Sequence, residues 1–180
     1  MLRPQTVCNL WQSPTDLIPD NDLAAMAIRS QVFFRTGKES FTDDRPEPID
    51  EDIPAGGPLF NSICYHLGQS WQLHDISISV WGHWLSARLG IGATILFELA
   101  LMEFDDGWMF IIQPKKDATS ERVRQFVSEA HDVIRGIPDV HDVRWFKSDH
   151  AFPCGCFHEG EFELGTMNPC DLDNGAEVCP

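Results

Sequence analysis

The chain has 180 residues, 43% of them hydrophobic with six Trp and 12 Phe, and sets 28 Asp and Glu against 13 Lys and Arg for a formal charge of -15. That aromatic content excludes a disordered chain, and the length suits one domain that buries roughly 70% of its unfolded surface without a stapling disulfide or metal. Acid in such excess weighs against direct contact with nucleic acid, whose phosphates require clustered Lys and Arg.

Met1 to Gln12 holds one Arg and no apolar run, so it does not read as a signal peptide. Asp20-Asn21-Asp22 offers a helix start and Gly37 a stop. Leu23, Ala27, Ser30 and Phe34 share one stripe between them, which predicts a helix over Leu23–Arg35. Residues 39–57 are rich in Pro, Asp and Gly and read as a loop. A second helix is expected over Leu59–Leu67, with Pro58 in its first turn, Phe60, Ile63, Cys64 and Leu67 at helical spacing, and Gly68 beyond. Ile76 to Val80 alternates apolar and polar residues and reads as a strand, whereas His83 to Gly92 gives no assignable pattern. Gly90-Ile91-Gly92 is at most a turn signal, because the third glycine of a dinucleotide loop is missing.

Asp105-Asp106-Gly107 lies between two apolar runs, Thr94–Phe104 and Trp108–Gln113, which predicts a hairpin. Leu96 to Met102 is rich in helix formers, but the turn needs a strand partner for Trp108–Ile112, so strand is preferred. The strongest helix signal is Ala118–Arg135. Val123, Phe126, Val127, Ala130 and Ile134 follow helical spacing, Asp117 is available to cap the start, and Gly136-Ile137-Pro138 stops it. A last strand is expected over Val143–Lys147. The order of elements predicts an α+β fold: an antiparallel sheet, built as a meander plus a further strand, packed with about three helices. Residues 1–150 form the expected domain, and residues 151–180 an irregular, acidic, Cys-rich extension. The most apolar stretch, Leu89 to Met102, is too short to span a bilayer, so a soluble cytoplasmic protein with reduced or metal-bound cysteines is expected.

The charge is unevenly placed. Seven acids between Glu39 and Asp52 oppose Arg45 alone, seven more lie between Ser148 and Pro180 with no Lys or Arg, and the intervening stretch is close to balance. Acids strung along a loop and anchored by Ile49 and Ile53 suit a basic groove that normally holds nucleic acid; a solubilising face is the plainer alternative. The candidate partner-binding residues are Asp43, Asp44, Glu47, Asp50, Glu51 and Asp52, with Phe41 as an apolar anchor.

Three other constellations bear on chemistry. Cys154, Cys156, His158 and Cys170 are ligand types that zinc prefers. Their spacing departs from the usual knuckle, so small buried thiols, free thiols or an oxidised pair remain open. His-Asp pairs occur at His74-Asp75, His131-Asp132 and His141-Asp142, but only the second falls on a predicted helix, and they read as ordinary solvent-facing groups of an Asp-rich chain. Lys115, Lys116, Arg122 and Arg124 cluster at a helix start, where a small anion is conceivable and solvated charge is the ordinary reading. No nucleophile elbow, phosphate loop or zinc-protease motif is present, and Cys64 reads as core.

The expected function is therefore non-catalytic: an acidic inhibitor that occupies the basic, nucleic-acid-binding surface of a partner protein. Phage counter-defence (anti-CRISPR) and toxin-immunity proteins share this composition. The expectation includes no cofactor, no direct nucleic acid and no membrane. The alternative is a zinc-binding protein or metal-dependent enzyme built on the C-terminal Cys/His cluster.

Overall fold

The computed structural model describes residues 28–37, 56–78, 85–104, 107–147 and 165–169. In chain order these form β1 (Gln31–Arg35), α1 (Gly57–Leu67), β2 (Gln72–Ile78), β3 (Leu85–Ile91), β4 (Thr94–Phe104), β5 (Gly107–Pro114), α2 (Ser120–Gly136) and β6 (His141–Phe146). The six strands make one sheet in the order β2-β3-β4-β5-β1-β6, with every neighbouring pair antiparallel. The expected α+β class and the meander, here β2 to β5, are both present. Among the described residues no helix is long and apolar enough to cross a membrane.

The helix expected over Leu23–Arg35 is corrected: its last five residues are strand β1. Gln-Val-Phe-Phe-Arg holds a β-branched and two aromatic residues, which fit a pleated surface, and β1 lies between β5 and β6 with Val32, Phe33 and Phe34 all buried. A helix would leave one of the adjacent Phe33 and Phe34 off its apolar stripe, whereas a strand buries one on each face. The described residues hold two helices, not about three, and residues 23–27 lie outside them.

Period-two alternation explains the rest of the sheet. On β4, Phe97, Leu99 and Leu101 face one way into the main core while Ala100 and Met102 join a second cluster on the other face. Leu85, Ala87 and Leu89 of the unassigned stretch belong to that same main core, and Ser86 and Arg88 point away from it. Gly90 makes the β3–β4 turn feasible, because a Cβ there would lie 1.8 Å from the Thr94 carbonyl oxygen.

Both helices lie on the main-core face. α1 contributes Leu59, Phe60, Ile63, Cys64 and Leu67; α2 contributes Val123, Phe126, Val127, Ala130 and Ile134. Trp71, Phe97 and Phe126 form an aromatic knot, with Phe97 stacked on Phe126 at 4.0 Å between centroids. Removing Phe126 would cost about 3–5 kcal/mol, the usual loss for a fully buried Phe. The start of α2 is capped by Thr119, whose hydroxyl accepts from Arg122 N–H, rather than by Asp117.

Candidate functional site

The six candidate partner-binding acids, Asp43, Asp44, Glu47, Asp50, Glu51 and Asp52, lie outside the described residues, as do Cys154, Cys156, His158 and Cys170. The points where the chain enters and leaves those segments are described, however, and each is fastened to the sheet by a tryptophan.

The first fastening is Trp108, at the start of β5. Its indole N–H donates to Thr36 Oγ1 at 3.1 Å, just before the chain leaves the described residues after Gly37. The chain re-enters at Gly56, which packs on the same indole: a Cβ there would sit 2.4 Å from the ring. Gly56 also has a φ of 87°, a left-handed conformation costly for any residue with a Cβ, and caps α1. The two ends of the 18-residue segment 38–55, with its seven acids, are thus held at one side chain.

The second fastening is Trp145 of β6. Its backbone N–H donates to the Thr166 carbonyl at 2.7 Å and its carbonyl accepts from Thr166 N–H at 3.0 Å. The residues that flank the 17-residue segment 148–164 are thus brought together at the sheet edge. Gly165 fits against the Phe146 ring, where a Cβ would approach to 2.6 Å, and the Arg29 N–H donates to the Pro169 carbonyl at 2.7 Å. Part of the expected irregular extension is therefore tied to the sheet.

Part of the charge on the described body is paired locally. On the face away from the helices, Asp75, Arg88, Glu98 and Gln113 stand in one cross-strand row. Glu98 is held by Lys115 Nζ at 2.8 Å and Arg88 Nε at 3.1 Å. Further along that face Asp142 bonds both Arg35 and Arg144, and the Arg35 guanidinium lies 5.1 Å from the centre of the Phe33 ring. Lys115 is thus committed to Glu98 rather than to an anion at the start of α2.

None of the His-Asp pairs makes an imidazole–carboxylate site. His74 lies at a bulge in β2, His131 Nδ1 accepts the Trp145 indole N–H at 3.0 Å, and His141 Nδ1 contacts the Asp139 carbonyl. Burial pushes the Cys64 thiol up to about 12, so it stays protonated and belongs to the core as expected. Among the described residues no group of three or more His, Cys, Asp and Glu converges to hold a metal ion.

Across the described residues ten Lys and Arg oppose nine Asp and Glu, a formal +1, so the remaining 19 acids and three bases lie in the other segments. The acid segments are legible from charge alone, but their fastening is not. Trp108 and Thr36 are 72 positions apart, and no spacing rule relates them. Comparison with known protein families, curated proteins and solved structures finds no match for this chain.

Proposed function

We propose that the protein is a non-catalytic inhibitor that binds a partner through its acidic segments and occupies the partner's basic, nucleic-acid-binding surface. This is the role filled by phage counter-defence and toxin-immunity proteins. What supports the reading is the division of charge: a body at +1 within a chain at -15, so that the excess acid is confined to segments outside the described body. A surface patterned in this way gains chiefly in association rate and selectivity, and its complex weakens as salt rises. Asp43, Asp44, Glu47, Asp50, Glu51 and Asp52 carry the contact, and they stand in for phosphates.

The test is retention of a partner from host lysate by the intact chain and by a variant with those six acids changed to Asn or Gln. The wild-type chain retains one dominant basic, nucleic-acid-handling protein that is released roughly ten-fold by raising salt past the point where surface charges are screened. The variant loses it while melting no lower than the wild type. Equal retention by the variant refutes the mechanism.

A second reading, a zinc site, draws on the Trp145–Thr166 pairing. Cys154, Cys156 and His158 fall in sequence between the paired Trp145 and Thr166, and Cys170 follows directly after the anchored Pro169, so all four belong to one short stretch of chain whose described residues are tied to the sheet. Untagged protein would then carry about one zinc per chain, and chelation would unfold the extension. Metal-free protein with unchanged stability refutes it.

A further inference from the structure

Trp145 links His131 of α2 to the strap of residues 165–169: its indole bonds the His131 ring and its backbone pairs with Thr166. β6 is an edge strand. It pairs with β1 on one side, and on the other, among the described residues, only with Thr166. At Trp145 both backbone hydrogen-bonding groups are committed to Thr166, so none is left for the facing Val32 of β1. The Trp145 indole, fully buried, is steered by the single bond its N–H gives to His131 Nδ1. That bond requires the neutral tautomer with its proton on Nε2, because a proton on Nδ1 would set two donors 3.0 Å apart.

We infer that His131 is a proton-operated latch: protonation at Nδ1 expels the imidazole from the Trp145 indole and loosens the strap 165–169 from β6, ahead of any wider unfolding. The inference goes beyond the proposed function and does not depend on it. His131 is partly exposed, so a cationic ring can turn to solvent while the buried indole loses its acceptor. The groups around it favour the neutral ring on balance. Burial lowers its pKa below the ordinary 6.5, Arg135 lowers it further, and Asp132 raises it. On its helix-facing side β6 presents Val143 and Trp145, which carry no charge, while Asp142 and Arg144 bond each other on the opposite face. Of the titratable side chains on α1, Cys64 is a buried protonated thiol and Tyr65 and His66 are exposed. The strap itself has no titratable side chain.

The sign follows from linkage. With the folded-state value depressed, the unfolded or unlatched chain binds the extra proton. The latch is closed above about pH 6.5 and its contribution is lost as pH falls toward the lower folded-state value.

Amide exchange at about pH 7.5 and about pH 5, expressed as protection relative to intrinsic rates, tests the latch. Protection of the Trp145 and Thr166 amides should fall roughly ten-fold at the lower pH, the effect of one lost buried hydrogen bond, while Phe126 and Val127 in α2 hold theirs. In His131→Asn, whose amide oxygen accepts but does not titrate, the difference should vanish. An unchanged Thr166, an equal loss throughout α2, or a loss that persists in His131→Asn overturns the latch. Should that variant fail to fold, the wild-type Trp145 indole N–H resonance decides. It should titrate with the midpoint of His131 itself, and different midpoints overturn the proposal.

Discussion

Cys64 shows how a single position separates packing from chemistry. It stands on the buried face of α1 beside Ile63, fully screened from solvent, and its thiol is raised to about 12 by that burial. A thiolate is the reactive form, so Cys64 should resist alkylation for as long as the core is closed. Native labelling with iodoacetamide followed by peptide mapping should leave the Cys64 peptide unmodified, and the same treatment in denaturant should label it fully. Modification under native conditions would mean that α1 opens far more readily than its burial implies. The three described indoles behave alike in one respect. Each gives its N–H to a side-chain acceptor: Trp71 to Glu129, Trp108 to Thr36 and Trp145 to His131. Burying so large a ring without a partner for its N–H would forfeit about 1–3 kcal/mol.

At the level of elements, the sequence revealed those whose signal is local. α2 has five apolar positions at helical spacing and a stop at Gly136-Ile137-Pro138, and these place it within two residues of where it lies. The β4–β5 hairpin was equally plain, because Asp-Gly between apolar runs leaves few other conformations open. β1 was not legible, because nothing within Gln31–Arg35 states that it will have a neighbour on each side, and the helical stripe that runs into it through Ser30 and Phe34 is a coincidence of spacing. β3 was hidden because Gly90 interrupts its alternation for a steric reason visible only once Thr94 is placed opposite. Of the candidate site, the acids could be counted, but the Trp108 fastening needed three dimensions. It should also be sensitive. Gly56→Ala sets a Cβ against the Trp108 ring in a left-handed conformation, and should cost about 2–4 kcal/mol in denaturant unfolding. Gly136→Ala, at the end of α2 with open space around the new methyl, should instead be neutral or stabilising by up to about 1 kcal/mol. Equal costs at the two positions would show that the Trp108 contact does not hold the segment ends.

For the molecule as a whole, charge and fold are divided between different parts of the chain. The described sheet and helices are near neutrality by count, and some of their charges pair locally, as Glu98 does with Lys115 and Asp142 with Arg144. The remaining segments carry 19 acids against three bases, a repulsion that would spread a free chain. Trp108 opposes that spreading for the segment 38–55 by holding Thr36 and Gly56 at one ring. Bringing the ends of a free 18-residue segment together would carry an entropic cost that grows as about 3/2 RT ln n, on the order of 2–3 kcal/mol. Folding has already met that cost before any partner arrives. On the proposed reading, in which these acids bind a partner, the same acids on an open tail would have to meet it during association, so a peptide cut from this segment should be a poorer ligand than the intact protein even though it keeps every charge.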